Sequence, residues 1–290
     1  MKEIILETRE LTHIYAKGTP YEKTAVNGMN IKIEKGELVG IIGHTGSGKS
    51  TLVQHFNGLL KPDGGQIFLD GHDMWENKAD IRKVRFKVGV CFQYPEYQLF
   101  EETVYKDIAF GPKNMGLDKD EINRRVIEAM KYVGLDESYA DKSAFDLSGG
   151  EKRRAAIAGV MAMSPEVLIL DEPCAGLDPA GRDMLLSLIK NYRESTGSTV
   201  IFVSHNMDDI AKIATRVLVV NDGKEAMYGT VDEVFSRCDE LKAMGLDVPA
   251  VTDLFMKLKM IYPQLDAGVY DINKAADILY SLLKGGAVRA

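Results

Sequence analysis

The sequence predicts an α/β protein built on a parallel sheet, with an antiparallel region before it and a helical region after it. Five short runs rich in branched apolar residues recur along the chain, each flanked by glycine or polar residues. Runs this short and this apolar are typical of strands buried on both faces, as in a parallel sheet covered by helices. Helical patterns lie between the runs, which favours an α/β layer architecture. The five runs are Leu38–Ile42, Val88–Cys91, Val167–Leu170, Val200–Val203 and Val217–Val220.

The first 37 residues show a pattern different from that of the five apolar runs. Ile31 and Ile33 alternate with polar residues, which predicts antiparallel strands. Residues 65–71 predict another short strand that ends in a turn. We therefore expect an N-terminal antiparallel β-subdomain beside the main sheet.

Two other regions are predicted to be helical. Residues 118–133 predict an amphipathic helix capped by Asp118, inside a helical subdomain of about residues 94–159. Apolar residues at helical spacing predict a small C-terminal helical domain over residues 231–290, which leaves residues 1–230 as the main unit. The apolar helical faces expected in the C-terminal domain are Leu254, Leu258 and Ile261, and Ala275, Ile278, Leu279 and Leu282.

Composition and charge restrict the classes of function. The formal net charge of −7 disfavours non-specific binding to nucleic acid or to an acidic lipid surface, so we expect no nucleic-acid partner. Cys91, Cys174 and Cys238 are widely spaced, which argues against a disulfide framework or a zinc site and favours a reducing cytosol. The N-terminus does not have the pattern of a signal peptide, and no run of about 18 apolar residues is present. Any membrane role is therefore expected to come through a partner.

A phosphate-binding loop is predicted where the first apolar run ends. The sequence of residues 43–50, GHTGSGKS, fits G-x-x-x-x-G-K-[ST] and precedes a helical run, Thr51–Leu60. Its glycines allow a tight loop whose N–H groups point at phosphate oxygens, and the helix adds its positive end. Lys49 supplies a cation for the β- and γ-phosphates, and the Ser50 hydroxyl is a candidate Mg²⁺ ligand. The residues predicted to hold the nucleotide here are Gly43, His44, Thr45, Gly46, Ser47, Gly48, Lys49, Ser50 and Thr51.

Two acids and a histidine follow other apolar runs. The run Val167–Leu170 carries Asp171 and Glu172 to its end. Asp171 is predicted to bind Mg²⁺, and Glu172 to orient or deprotonate the hydrolytic water. His205 lies at the carboxyl end of another strand, where ligands gather in open α/β sheets, and is predicted to contact the γ-phosphate. Glu172, His205 and Lys49 are therefore the candidate catalytic residues.

One more motif makes a family resemblance specific. The sequence of residues 147–151, LSGGE, resembles the signature motif of ABC ATPases, and it lies between the phosphate loop and the acidic strand as in that family. The resemblance, over residues 3–230, implies a P-loop NTPase fold that hydrolyses ATP with Mg²⁺. It also implies that Ser148, Gly149 and Gly150, at the start of a helix, grip the γ-phosphate bound by a second chain. Two chains would then sandwich two ATP molecules head to tail.

Further residues match the ABC family individually. Gln93 matches the Q-loop glutamine, which contacts the metal and senses the membrane partner, and Asp178 matches the D-loop aspartate. Tyr15 looks like the aromatic residue that stacks on adenine, with Tyr21 as the weaker candidate. Stacking tolerates any flat base, which implies loose nucleotide selectivity. The metal ligands implied by the resemblance are Ser50, Gln93 and Asp171.

A finer resemblance points to the ATPases of energy-coupling factor (ECF) transporters. It is carried by Gln93–Phe100, Asp107–Pro112 and Gly18–Glu22, and the pattern is closer to the second of the two paralogous ATPases of that family. The resemblance implies a different first ATPase as partner, so a heterodimer is favoured over a homodimer. The C-terminal helical domain, residues 231–290, is implied to help hold the dimer together.

The same resemblance implies membrane partners. ECF transporters import vitamins or transition-metal ions. Their ATPase pair docks at the cytoplasmic face of the cell membrane, beneath a scaffold protein. A separate membrane protein captures the substrate. Contact with the scaffold is implied near Gln93, Glu96 and Glu101. The acids Glu96, Glu101 and Glu102 would line a groove that receives a basic residue of a scaffold helix, although a solvated acidic face is the alternative. Another type of ABC importer stays open as a function. ABC-fold proteins of DNA repair, chromosome organisation or the ribosome are disfavoured by the single cassette and the negative charge.

Overall fold

The computed structural model describes residues 3–286, so residues 1–2 and 287–290 of the predicted domains lie outside the described residues. None of the helices in the described part of the chain combines the length and apolar character that a membrane span requires. The strands are β1 (Ile4–Tyr15), β2 (Lys23–Met29), β3 (Lys32–Glu34), β4 (Leu38–Ile42), β5 (Gly64–Leu69), β6 (His72–Asp73), β7 (Val88–Cys91), β8 (Val167–Asp171), β9 (Thr199–Val203), β10 (Arg216–Asn221) and β11 (Lys224–Thr230). The α-helices are α1 (Lys49–Phe56), α2 (Ile81–Lys87), α3 (Val104–Asn114), α4 (Lys119–Tyr132), α5 (Gly149–Met161), α6 (Pro179–Thr196), α7 (Met207–Ile213), α8 (Val231–Phe235), α9 (Cys238–Ala243), α10 (Ala250–Lys259) and α11 (Ile272–Gly286). Short 3₁₀ helices span Lys78–Asp80, Pro95–Gln98, Glu137–Tyr139 and Ala144–Asp146.

The five predicted apolar runs form the parallel part of a six-stranded sheet in the order β11-β10-β4-β9-β8-β7. Alternate side chains of each strand enter cores on opposite faces: in β8, Leu168 and Leu170 face one core, and Val167 and Ile169 face the other. Burial on both faces explains why these runs are continuously apolar. The sequence did not predict β11, which pairs antiparallel with β10, because its residues are mostly polar or exposed.

A second, antiparallel sheet covers one face of the main sheet, as the sequence predicts. Its strands follow the order β2-β1-β5-β6, and β3 pairs with β1. Ile31 and Ile33 are both buried in the core between the two sheets, which also contains Val39 and Ile41 of β4. This packing brings the end of β1, at Tyr15, beside the start of α1.

The helical subdomain covers the opposite face of the main sheet. Residues 94–159, all of them described, contain helices and turns but no strand. Helix α4 begins after Asp118, whose side chain accepts a hydrogen bond from the Glu121 amide at 2.9 Å. Val126 and Met130 of the same helix are fully buried. The predicted helical subdomain and its amphipathic helix are therefore present.

The C-terminal region contributes to two cores. Phe235 of α8 and Leu241 of α9 are fully buried in the core that covers the helical face of the main sheet. Phe255 and Ala275, from α10 and α11, belong instead to a separate small core. The division of the chain at residue 230 stays a prediction.

One predicted apolar face of the C-terminal region is wrong. Leu254 and Ile261 are exposed, and the buried side chain of α10 is Phe255. The helix ends at Lys259, so Ile261 no longer follows the helical period. Leu258 packs against the small core together with Val251, three and four residues from Phe255 on the same face. The second predicted face is confirmed: Ala275 is buried there, and Ile278, Leu279 and Leu282 pack against it.

Candidate functional site

One cavity of about 680 Å³ collects most of the predicted site residues. It lies where β4, β8 and β9 end and α1 begins, which is the edge at which open α/β sheets bind ligands. Its volume suits a small-molecule ligand. Of the predicted residues, the cavity is lined by Tyr15, Gly43, His44, Thr45, Gly46, Gly48, Lys49, Ser50, Thr51, Gln93, Asp171, Glu172 and His205. Ser47 is buried beneath the loop and does not line the cavity.

The phosphate loop has the backbone that the glycines predict. Gly48 adopts φ of +108°, and a Cβ at this position would lie 2.2 Å from the Ala25 carbonyl oxygen, so only glycine fits. The helix begins at the next residue, Lys49, whose Nζ donates hydrogen bonds to the carbonyls of Gly43 at 2.6 Å and His44 at 3.0 Å. Burial lowers the pKa of Lys49, and the nearby carboxylates of Glu172 and Asp171 oppose that shift. A helix N-terminus, a tight loop and a half-buried cation together form an anion site.

Asp171 ends β8 in a buried position beside the phosphate loop. Burial raises the pKa of its carboxyl, as does the charge of Glu172, whereas Lys49 and a hydrogen bond from Ser50 lower it. Asp171, Ser50 and Gln93 offer a carboxylate, a hydroxyl and an amide, and oxygen ligands of this type suit Mg²⁺. Within residues 3–286 no three His, Cys, Asp or Glu side chains cluster as a metal site. The residues therefore fit a cation that takes most of its ligands from phosphate and water.

Glu172 and His205, which both line the cavity, are in contact with each other. The Glu172 Oε2 lies 2.8 Å from His205 Nδ1. Glu172 has φ of +52°, the left-handed region that non-glycine residues rarely adopt, and its amide donates to the Val203 carbonyl at 3.0 Å. Strained backbone of this kind persists where the surrounding structure holds it, and it is enriched at functional sites. The arrangement holds a carboxylate and an imidazole side by side in the cavity that the phosphate loop also lines.

Tyr15 and Tyr21, the two aromatic candidates for the adenine, occupy different positions. Tyr15 lines the cavity, and its hydroxyl lies 3.2 Å from Thr51 Oγ1. Its ring packs edge-to-face with the His13 ring, with 4.6 Å between ring centroids. Tyr21 is 85% exposed and does not line the cavity. Stacking of Tyr15 on adenine stays a prediction, and the geometry favours it over Tyr21.

The predicted signature and D-loop residues lie outside this cavity. Ser148 and Gly149 are exposed at the N-terminus of α5, and Gly150 follows in its first turn. Ser148 Oγ donates to Glu151 at 2.7 Å, and three hydrogen bonds, two from Ser148 and one from the Tyr139 hydroxyl, lower the pKa of Glu151 to about 2. The N-terminus of α5, which begins after Ser148, is therefore exposed to solvent outside the cavity.

Asp178 has a structural role that the sequence did not indicate. Its side chain accepts a hydrogen bond from the Gly181 amide at 2.8 Å and caps helix α6. Pro179, in the first turn, starts the helix without needing a hydrogen-bond partner for its nitrogen. The D-loop residue is therefore fixed by the helix that follows it, outside the cavity.

Sequence reasoning missed part of the cavity wall. Gly245, Leu246 and Asp247, in the connection between α9 and α10, line the same cavity as the phosphate loop. The Ala250 amide donates to Asp208 Oδ1 at 2.9 Å, which ties this connection to the start of α7. No motif marks these residues, and only the folded chain brings them to the site. Lys23, Ala25 and Met207 also line the cavity, and their closeness to Tyr15 and His205 in the sequence is the one signal that could have indicated them.

The acids expected to meet a membrane scaffold differ in their surroundings. The Glu96 carboxylate is paired with Arg153 of α5 at 2.7 Å and is mostly buried. Glu102 is exposed and pairs with Lys106. Glu101 is half-buried, and its amide donates to Asp107 Oδ1 at 3.1 Å. Glu96 is therefore not free to receive a basic residue while its pair with Arg153 is formed.

The fold and the site together define an ABC ATP-binding cassette. Residues 26–175 match the ABC transporter family model. The chain is 52% identical over 283 residues to the energy-coupling factor transporter ATP-binding protein EcfA2 of Clostridium tetani. The alignment covers 97% of this chain and 98% of the relative. It is 50% identical over 280 residues to the protein of the same name from Clostridium perfringens, covering 96% and 98%. The chain belongs to the family of energy-coupling factor transporter ATP-binding proteins.

Solved structures agree with this assignment. The chain is 40% identical to cbiO1 of Clostridium perfringens, part of the ABC transporter complex cbiONQ, with a TM-score of 0.75 over 83% of this chain and 94% of that one. It is 27% identical to a dimeric ATP-binding cassette in a post-hydrolysis state with bound ADP and phosphate, with a TM-score of 0.70 over 78% and 98%. The predicted P-loop NTPase fold, ATP binding and hydrolysis, and role in ECF transport are confirmed.

Proposed function

We propose that this chain is one half of a two-chain motor at the cytoplasmic face of the cell membrane, where it clamps ATP against a second ATPase chain. The supporting observation is that the predicted nucleotide-binding residues lie in two separate places. The phosphate loop, Asp171, Glu172 and His205 line one cavity, while the exposed Ser148 at the start of α5 lies outside it. A helix N-terminus that faces outward suits the γ-phosphate of a nucleotide held by another chain.

Each residue at the cavity has a proposed task. Lys49 holds the β- and γ-phosphates, Glu172 orients or deprotonates the attacking water, and His205 contacts the γ-phosphate. Tyr15 stacks on the base. Ser50, Asp171 and Gln93 would hold Mg²⁺, which when bound offsets phosphate charge. Hydrolysis removes the phosphate bridge between the chains and lets them part, because ATP can shift this equilibrium only through its tighter binding to the closed state.

The second chain is proposed to be a paralogous ATPase, which makes the pair a heterodimer. The C-terminal helices support a docking role because they expose several large apolar side chains around a small core. Exposed apolar groups gathered in one region mark interaction surfaces. Asp178 is proposed to contact the interface, since it is exposed and lies outside the cavity. The exposed apolar side chains are Leu254, Met260, Ile261, Ile272, Tyr280 and Leu283.

A membrane scaffold is proposed to dock beside the Q-loop. An apolar groove of about 330 Å³ lies there, with the rings of Phe100 and Phe110 in edge contact at 4.9 Å. Both rings are exposed, so a helix of the scaffold could bury them. Glu101, which directly follows Phe100 in the sequence, is the acid proposed to receive a basic residue. The imported substrate is proposed to be a vitamin or a transition-metal ion, captured by a separate membrane protein.

The motor proposal predicts that ATP drives association with the second chain. Phosphate release from ATP is measured for this chain alone, with the paralogous ATPase, and with the scaffold added. We expect release to need the second chain, and we expect sizing with a non-cleavable ATP analogue and Mg²⁺ to show the pair. Lone chains under these conditions, with every companion supplied, would contradict the proposal.

Glu101→Lys is expected to weaken assembly with the scaffold about tenfold or more, because a like charge would face the proposed basic residue. The measurement is the amount of scaffold that co-purifies with the ATPase pair, at two salt concentrations. Glu194→Lys, an exposed acid on α6 away from the groove, is the matched control. Equal scaffold recovery for both variants would argue against docking at Glu101.

A further inference from the structure

Arg153 occupies a buried position at the junction of three functional segments. It lies on α5, five residues after Ser148, and is 5% exposed. Its Nε and Nη2 donate to the two carboxylate oxygens of Glu96, at 3.0 and 2.7 Å. Its Nη1 donates to the carbonyl oxygens of Pro173 at 3.1 Å and Ala175 at 2.6 Å. One guanidinium therefore makes four hydrogen bonds to two separate segments.

These two segments carry different parts of the site. Glu96 follows Gln93 by three residues, in the segment proposed to face the membrane scaffold. Pro173 directly follows Glu172, and Ala175 precedes Asp178 by three residues. Arg153 itself belongs to the helix whose N-terminus presents Ser148. The contacts thus join the partner-facing segment, the loop after the catalytic glutamate and the signature helix.

We propose that Arg153 is a positioning residue. With Glu96 it forms a strut that holds the carbonyls of Pro173 and Ala175, so the position of the partner-facing segment sets the position of Glu172. This inference rests on the proposed docking of a scaffold near the Q-loop. It gives that docking a physical route to the catalytic loop. Arg153 does not line the cavity of the phosphate loop, so it acts through Glu172.

The chemistry of the contacts favours a positioning role. A planar guanidinium matches a carboxylate with two parallel hydrogen bonds, which fixes direction as well as distance. Burial works to raise the pKa of Glu96, but the hydrogen bonds and charge of Arg153, together with a hydrogen bond from the Glu96 backbone, outweigh it and hold the pKa below its ordinary value. The carboxylate is therefore ionised at neutral pH, and the pair stays charge-assisted. Buried ion pairs contribute little net stability compared with apolar residues, so geometry is the better explanation for this one.

The backbone of Glu172 needs such support. Its φ of +52° is unfavourable for a residue with a side chain, and the neighbouring backbone must hold it there. The Glu172 amide is fixed on one side by the Val203 carbonyl of β9. Arg153 fixes the next residues, Pro173 and Ala175, on the other side. A shift of Glu96 would thus move the loop that sets the direction of the Glu172 carboxylate.

The experiment uses Arg153→Lys and Glu96→Gln in the full assembly of both ATPase chains and the scaffold. We expect Arg153→Lys to lower kcat about tenfold while KM for ATP changes less than about twofold, because lysine cannot reach Glu96 and both carbonyls. We expect Glu96→Gln to lower the ratio of scaffold-stimulated to basal turnover. Thermal unfolding of each variant shows whether it is folded, and a merely structural role would change the unfolding temperature without separating kcat from KM.

Arg125 and Glu121 offer a matched control in the same helical subdomain. Arg125 donates to Glu121 at 2.6 Å and to the Met163 carbonyl at 3.0 Å, but these contacts do not include the catalytic loop. Arg125→Lys and Glu121→Gln are therefore expected to keep the wild-type kcat and stimulation ratio. If Arg153→Lys and Glu96→Gln behave like these controls, the strut is overturned. If the wild-type assembly itself fails to hydrolyse ATP, the proposed function is contradicted instead.

Discussion

Glu172→Gln is expected to keep ATP bound and to lower turnover about 10²–10⁴-fold, the range that a general base contributes. Glutamine has the same size, so the packing at the end of β8 is preserved. The substitution removes the negative charge that lies 2.8 Å from His205 and acts on Lys49. Less negative charge beside the phosphates does not weaken ATP binding. The chemical step loses its base, whereas the binding step loses nothing.

The measurement must isolate the site that contains Glu172. Phosphate release is followed in an assembly whose partner chain carries the equivalent substitution, so that the second site does not mask the loss. ATP affinity is measured by equilibrium binding to the same assembly. Glu166→Gln is the control, because Glu166 lies just before β8, at the opposite end of the strand from Glu172, and pairs with Lys87. Near-normal turnover by Glu172→Gln would exclude Glu172 as the base.

The sequence predicts the main sheet well because its strands are buried on both faces. A strand such as Val200–Val203 must be apolar at every position, and that pattern is visible without neighbours. Strand β11 has one face exposed and carries Lys224 and Glu225, so its pairing with β10 leaves no such pattern. Phe255 and Leu254 are adjacent and both apolar, and only the small core decides which of them is buried.

The site could be predicted where a motif fixes local backbone or places a residue at a strand end. Gly48 and Lys49 are of the first kind, and Asp171 and His205 of the second. The contact between Glu172 and His205 depends on β8 and β9 being neighbours, which the order of runs along the chain does not reveal. The Arg153–Glu96 pair joins residues 57 apart in sequence and has no local signal.

Ser148→Ala is the second large expected effect, and it appears at the partner's nucleotide rather than at this chain's own. We expect it to lower turnover at the partner's site about 10²–10³-fold, the loss that follows removal of one donor to a developing negative charge. The hydroxyl, which donates to Glu151 in this structure, would donate to the partner's γ-phosphate instead. ATP binding in the cavity of the same chain should not change, because Ser148 does not line it. The background for the test is an assembly in which this chain carries Glu172→Gln and the partner is wild type.

That background distinguishes an action of Ser148 at the partner's site from an action within its own chain. With Glu172→Gln, the remaining turnover comes from the partner's site, so adding Ser148→Ala abolishes most of it only if Ser148 acts across the interface. If Ser148 acted within its own chain, the double variant would equal Glu172→Gln alone. Ser148 also caps α5 by accepting a hydrogen bond from the Glu151 amide at 3.4 Å. Ser143→Ala controls for the loss of such a cap, worth about 1 kcal/mol, since Ser143 caps the 3₁₀ turn Ala144–Asp146 just before the signature. Turnover of the double variant within about twofold of the background would mean that ATP does not join the two chains through this serine.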